Sequence, residues 1–345
     1  SVITLMGVNA QLKSYVLKAP DKIIPDMKKI ALLDFSDSKD ASVSQRAQKD
    51  IDKYGSLLRD ATTSYLLEEF RGVDEDKRYK NYKNYLGVKT NIYTIVERDK
   101  LEEILREHKL AASGILTEGD AAKVGGLLGV DFILVGNLSL TSSIKKSYST
   151  STSISKDGKR KESNTYAKWR QTDGSATIRI VSVKTGQVIS VINKSYTTSK
   201  VNDIFGVLGS KEDKRDQGIG KTKVYNKGTG YPSDAKLESA HAAKMKAIDC
   251  LAYQLVNSFV PSYERVKLKF EKSQRKEYRK EIKKGKAALK KGDINKIYHL
   301  LQRVMEKDES DDAIVYNLAI VYEVVGRYDD AIKYVNVTSS IFWSI

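Results

Sequence analysis

Residues 119–136, GDAAKVGGLLGVDFILVG, place four glycines within eleven residues ahead of an apolar run. The chemistry such a pattern could do is phosphate binding, in which glycines let backbone N–H groups wrap an anion. That loop needs a strand, then the glycines, then a helix whose N-terminus faces the anion. Here the order is reversed. Thr117 can cap a helix with Asp120 three residues on, and Ala121, Val124 and Leu128 recur at helical spacing. Gly129 stands where a helix stops, and VDFILVG reads as a short buried strand. The glycines end a helix and turn the chain into a strand. A second candidate, GIGKT at 218–222, has Arg215 where the phosphate loop wants glycine, and no amphipathic helix follows Thr222.

No other constellation offers catalysis. His108, His241 and His299 fall on different expected helices, without paired spacing or a nucleophile elbow. The single cysteine, Cys250, excludes an internal disulfide and a cysteine-rich metal site, and it lies in the apolar run AIDCLAYQLV. No catalytic residue, metal ligand or cofactor is expected, so the chain reads as a non-enzyme.

The 345 residues allow two or three domains. They carry 60 basic and 44 acidic side chains, a net charge of +16. Thirteen Lys or Arg against three Glu between Arg265 and Lys291 put +10 of that in one stretch. Two readings stand: a patch for nucleic acid or acidic lipid, or a solvated helix linking two domains. Only Tyr278 is there to stack on a base and no nucleic-acid motif accompanies it, so no nucleic-acid partner is expected. No apolar run reaches the 18 residues of a membrane helix. The opening SVITLMGV lacks the basic flank of a signal peptide, so any such peptide is expected to be removed already.

Residues 1–27 read as an irregular arm. KKIALLDF holds a first buried strand, Ile30 to Phe35, followed by a polar loop from Ser36 to about Gly55. A helix over 56–70 turns Leu58, Ala61, Tyr65 and Leu66 inward; a second strand lies in TNIYTIVERDK. Asp99 caps the next helix, with Leu101, Ile104, Leu105 and Leu110 on its buried face. SATIRIVSVKTGQVISVIN is a hairpin turning at Thr185-Gly186, and residues 233–259 form a helix ended by Pro261. Strands alternating with helices, then hairpins, give an α+β or α/β sandwich.

Two segments of about forty residues, 139–175 and 192–232, are too long for structureless loops. As hairpins they make sense. Asp157-Gly158 is a turn signal in the middle of the first, and Leu140, Ser142, Ile144 and Tyr148 share one face of it. Near the C-terminus, LKKGDINKIYHLL and EVVGRYDDAIKYV align with Gly292 and Gly326 34 residues apart, Ile297 on Ala331 and Leu301 on Val335. That period matches tetratricopeptide repeats.

IVERDKLEEILREHKLAASGILTEGDAAKVGGLLGVDFILVGNLS resembles the curli secretion channel (CsgG) family of bacterial outer-membrane lipoproteins. Glu97, Arg98, Leu101, Ile104, Glu107, Ala122, Gly125 and Asp131 sit at its signature positions, and TIRIVSVKTGQVISVINKSY is similar to its second half. The resemblance covers roughly 28–260; VLKAPDKIIPDMKKIALLDF is similar to members with C-terminal tetratricopeptide repeats.

The resemblance implies an α+β fold: an αβ-sandwich periplasmic domain over 28–262 with two β-hairpin insertions. Those hairpins, 139–175 and 192–232, would join one oligomeric transmembrane β-barrel, with basic and repeat helices following over 263–345. It implies a ring homo-oligomer in the bacterial outer membrane that exports unfolded amyloid-type subunits, with secreted or periplasmic proteins as partners. Asp52, Lys53 and Tyr54, at the end of the loop after strand one, would form the pore constriction. The family's lipidated cysteine is expected just before Ser1. Lys146, Lys168, Lys194 and Lys221 interrupt any lipid face, and an exposed Lys at mid-bilayer is unfavourable by about 2–4 kcal/mol. Either they lie near the interface and snorkel, or the hairpins do not insert and the protein is a periplasmic lipoprotein adaptor.

Overall fold

A computed structural model describes residues 12–37, 45–73, 89–96, 103, 118–198, 223–227, 230–291 and 293–334. The chain divides into two units, one built from Asp21–Leu67 and Ile92–Phe259, the other from Ser1–Pro20, Glu68–Asn91 and Val260–Ile345.

The first unit is organised by two short apolar runs. Strands β2 (Lys29–Leu32) and β5 (Phe132–Ile154) begin with KIAL and FILV, and Ile30, Ala31, Ile133 and Leu134 are wholly buried. Burial on both faces is what a central parallel pair requires. β2 pairs in parallel with β5 and with β4 (Thr94–Ile95), and β3 (Ser36–Asp37) also joins β5 in parallel. β6 (Arg160–Ser182) and β7 (Val188–Thr197) add antiparallel strands, giving the order β4-β2-β5-β6-β7.

Strand alternation then assigns the helices. Ala31, Leu33, Ile133, Val135 and Val181 pack on one face against Val124 and Leu128 of α2 (Glu118–Leu128). Leu251 of α3 (Ala240–Asn257) reaches the other face, 3.1 Å from where a Cβ on Gly174 would sit. Helices therefore cover both faces of a mixed sheet, the expected α+β sandwich. Gly129 (φ +61) stops α2, with Val130 N–H donating to Gly125 O at 3.1 Å. The glycine run is a helix stop followed by a strand.

Helix α1 (Gln45–Leu67) begins earlier than expected. The polar loop expected to run to about Gly55 is helical from Gln45, so Asp52, Lys53 and Tyr54, expected at its end, lie within α1. Gln45–Asp50 is a run of helix-tolerant residues without glycine or proline, so nothing stops the helix there. Gly55 does not start it. A Cβ at Gly55 would lie 2.0 Å from Phe35 O, so the glycine permits close approach of α1 to the chain beside β2. Arg59, nearly buried, adds an ion pair to Asp34 at 2.6 Å. The helix expected over 101–110 lies outside the described residues except Glu103, which is helical.

The second unit corrects two expectations. Within the supposed irregular arm of 1–27, Leu12–Lys18 forms β1, paired antiparallel with β9 (Ser262–Leu268) from Leu12↔Leu268 to Lys18↔Ser262. The basic stretch is not one linking helix: its first residues are β9, and α4 (Lys276–Lys290) begins only after a turn. Tyr15, Val73, Tyr263, Phe270, Ile282, Leu289, Ile297 and Leu318 share one core. Ala287 is exposed.

Helices α5 (Ile294–Met305) and α6 (Asp312–Val324) follow, and residues 328–334 are helical. α4 ends at Lys290 and α6 at Val324; the next helices begin at Ile294 and at 328, so each boundary recurs 34 residues later. Ile297 and Ala331, aligned by the repeat, are both buried; Val335 lies outside the described residues. Asn317, fully buried, fixes the β9–α4 connection by accepting from Glu271 N–H (2.8 Å) and donating to Glu271 O (3.0 Å). Asp311 caps α6 and hydrogen-bonds the Ser273 hydroxyl. No described helix is long and apolar enough to cross a membrane, and the described strands close no barrel.

Candidate functional site

β5 and β6 are each 23 residues long and stay in register from Phe132↔Ser182 to Ile154↔Arg160. Their lower parts belong to the sheet. Above Ser139↔Ser175, the bounds expected for the first insertion, they continue as a ribbon. The tip turns at Asp157-Gly158: Gly158 (φ +77) donates to Ser155 O at 2.8 Å, and Ser155 N–H donates to Lys159 O at 2.9 Å. The Ser155 hydroxyl holds the Asp157 carboxyl below the usual carboxylate range. Thr185-Gly186 turns β6 into β7 as expected, with Gly186 at φ +69.

Register assigns the ribbon's faces. Leu140, Ser142, Ile144, Lys146 and Tyr148 oppose Gly174, Thr172, Arg170, Lys168 and Tyr166 on one face. The other face of β5 carries Thr141, Ser143, Lys145, Ser147, Ser149, Ser151 and Ser153. From Lys145 to Glu162 every residue is exposed. The first face holds a polar and aromatic network. Tyr148 donates to Asn164 (3.0 Å) and receives from Thr150 (2.8 Å), while the Tyr148 and Tyr166 rings lie 5.0 Å apart.

Residues 230–239 run along this same face as a strap. Tyr231 meets Tyr166 edge-on at 5.2 Å, and the Lys146 ammonium lies 5.3 Å from its ring centre. Lys168, with its side chain 10% exposed, donates to Asp234 at 2.6 Å, and Arg170 donates to Glu238 O at 2.7 Å. The Lys168 bond holds the Asp234 carboxyl below its usual range, reinforced by the charges of Lys168, Lys146 and Arg170. Two of the lysines expected to interrupt a lipid face thus have partners within the same chain. Lys194 has one too, Asp21 at 3.6 Å; Lys221 lies outside the described residues. Tyr231 and Asp234, unremarkable in a polar stretch, gave no sequence signal of this role.

The second insertion, 192–232, is described only at its two ends. Its described strands, β7 and β8 (Lys223–Lys227), both pair antiparallel with β6 and therefore run the same way. β7 covers β6 at 173–181, and β8 takes 165–169 farther along the same edge. A 23-residue strand beside a 10-residue one leaves unpaired backbone groups, and β8 supplies partners for those at 165–169. Residues 199–222 lie outside the described residues.

The expected constriction residues lie in α1. Tyr54 pairs its hydroxyl with His241 Nδ1 at 3.2 Å, and the Lys244 ammonium lies 4.8 Å from its ring centre. Lys53 is exposed; the Asp52 side chain is outside the described residues, as are Glu97, Arg98 and Glu107. Two further signature residues, Gly125 and Asp131, have structural work. A Cβ on Gly125 would meet Val183 Cγ2 at 2.1 Å, so glycine lets α2 reach the turn after β6. Asp131 accepts from the N–H groups of Lys28 (3.3 Å) and Lys29 (2.8 Å), fixing the start of β2. Among the described residues, no group of three or more His, Cys, Asp or Glu is placed to hold a metal ion.

The family described as "Curli production assembly/transport component CsgG" matches residues 86–288, more than half of the chain. The chain belongs to the CsgG family. The CsgG match takes in the ribbon, β7, β8, α3, β9 and nearly all of α4. No curated protein matches the chain. Among solved structures, the LpoB C-terminal domain from Escherichia coli is similar at 10% identity and a TM-score of 0.22, covering 49% of this chain and 82% of that one. The PelC dodecamer from Paraburkholderia phytofirmans is similar at 8% identity and a TM-score of 0.24, covering 70% and 96%.

Proposed function

We propose that this CsgG-family chain is one subunit of a homo-oligomeric ring in the bacterial outer membrane. Its ribbon joins a shared β-barrel through which unfolded amyloid-type, curli-like subunits leave the periplasm. The observation that carries this reading is the ribbon's reach. Sixteen residue pairs stand from Ser139↔Ser175 to the tip, about 50 Å at strand rise, against the roughly 9–11 residues a membrane strand needs. A barrel shared between copies leaves no unpaired edge in lipid. Membership of a family described by assembly and transport supports it further. The role is transport, with no catalytic step, cofactor or metal. The 34-residue helical repeat supports tetratricopeptide-like pairs that engage secreted or periplasmic proteins.

A second reading, a non-inserting periplasmic lipoprotein adaptor, is favoured by one specific observation. The ribbon face that bears Leu140, Ile144 and Tyr148 also carries Lys146, Lys168 and Arg170, and the chain's own strap covers part of it. Replacing 142–172 by a short Gly-Ser turn separates the two. The channel reading expects the full chain to extract as detergent-stable rings that conduct in planar bilayers, and the shortened chain to fold without conducting. Absence of conductance from the full chain, with partner capture unchanged by the shortening, would establish the adaptor.

A further inference from the structure

Helix α4 has two sides of opposite character. Stepping about 100° per residue, Ile282, Gly285, Ala288 and Leu289 share one side and are buried. A Cβ on Gly285 would lie 2.8 Å from Ile297 Cγ1, so α4 sits tightly on α5 and its outward side is fixed. On that outward side stand Lys276, Lys280, Lys283, Lys284, Lys290 and Lys291, all exposed. Ala287 is the one uncharged residue among them. Arg279, at the margin, is tied to Ser273 O (2.7 Å) and Gln274 O (3.1 Å). The helix's two acids, Glu277 and Glu281, fall at the border with the buried side. Among the described residues, Lys284 alone of the six has an ion-pair partner, Glu281 at 2.7 Å.

A helix charged for solubility intersperses both signs and gains from pairs one turn apart. This one segregates them. The choice of lysine narrows the partner. Arginine's planar fork suits bidentate recognition of single carboxylates or phosphates, whereas six point charges on flexible stems suit a diffuse sheet of negative charge. No aromatic ring stands on the outward side to stack on a base, since Tyr278 packs against the unit's core. The side is about 22 Å long, and nothing on it is large and apolar enough to insert.

We propose that the lysine side of α4 docks on an anionic phospholipid bilayer, held by electrostatics without insertion. The surface is separate from the ribbon and does not depend on whether the ribbon enters lipid. Each lysine near an anionic bilayer surface strengthens partitioning by about fivefold, and the attraction fades within a Debye length of about 8 Å at physiological salt.

The test is flotation of the full chain with vesicles of phosphatidylcholine alone or mixed with phosphatidylglycerol, at about 0.1 M and about 0.5 M salt. Expected is extra binding to the phosphatidylglycerol vesicles that disappears at the higher salt. It should fall about 100-fold or more in the quadruple variant Lys276→Gln, Lys280→Gln, Lys283→Gln and Lys290→Gln. Glutamine keeps helix propensity, so an unchanged far-ultraviolet helix signal checks the fold. The four corresponding Lys→Arg changes should retain binding. Ribbon insertion would register separately, as salt-resistant binding to both vesicle types that the Gln variant shares. Equal salt-sensitive binding by wild type and Gln variant overturns the proposal. So does tighter binding of polyglutamate or a short DNA duplex than of phosphatidylglycerol vesicles, which would make the side a protein or nucleic-acid site.

Discussion

Gly125 and Gly126 are neighbours in α2 with opposite surroundings. Glycine in a helix interior is unfavourable by roughly 0.5–1 kcal/mol relative to alanine, and a Cβ on Gly126 would meet nothing within 4 Å. Gly126→Ala should therefore stabilise by about that amount. Gly125→Ala has the same propensity gain but drives its methyl into a stiff valine, 2.1 Å from Val183 Cγ2 and 3.2 Å from its Cβ. Overpacking of this kind is unfavourable by about 1–3 kcal/mol, so the net sign reverses. Urea midpoints of the two variants should move in opposite directions. Asn317→Ala leaves both backbone groups of Glu271 without their partner and should destabilise by about 1–3 kcal/mol, read as a lower melting temperature. Tyr54 tests the pore assignment at the same scale. If its ring lines the constriction, Tyr54→Ala raises single-channel conductance, while Tyr54→Phe, which keeps the ring and removes the hydroxyl bonded to His241, leaves it near wild type.

Among the elements, the ribbon and its strap set a pH dependence. Asp234 has its folded carboxyl held below the usual range by Lys168, so its hold is complete above the unfolded aspartate value and is lost as pH falls through the lower folded value. Hydrogen exchange across residues 230–239 should accelerate below about pH 3.9 relative to the sheet core. In Lys168→Gln the folded carboxyl returns towards its unfolded value, so exchange across the strap should already be faster at higher pH and lose most of this acid dependence. An onset identical to wild type would mean that the Lys168–Asp234 pair does not hold the strap. The helix pairs obey a different logic. A single amphipathic helix cannot bury its apolar side alone, and α4 and α5 therefore close on Ile282, Leu289, Ile297 and Leu301.

For the molecule as a whole, the pairing of β1 with β9 ties the two ends of the sequence into one unit. Tyr15 and Val73 share a core with Tyr263 and Phe270, so cutting the chain at 262 removes β9 and leaves β1 and Val73 without their packing. Removal of residues 1–18 should lower the melting transition of that unit and expose β9 to proteolysis, with the transition of the sheet unit unchanged. A single transition unaffected by the deletion would show that β1 contributes nothing to that core.

What the sequence determined by itself was local. Gly129 ends a helix because a left-handed turn favours glycine, and Asp157-Gly158 and Thr185-Gly186 turn strands for the same reason. The apolar runs KIAL and FILV marked two buried strands. Each signal is complete within a few residues of chain. Tertiary structure alone decided where distant segments meet. Leu12 finds Leu268, β8 fills the β6 edge left open by β7, and Lys168 finds Asp234. The start of α1 belongs with these, since Gly55 looks like a helix breaker until Phe35 O appears 2.0 Å from its missing Cβ. Propensity and periodicity carry no record of such partners, because the free energy that selects them arises only when two remote surfaces are desolvated together.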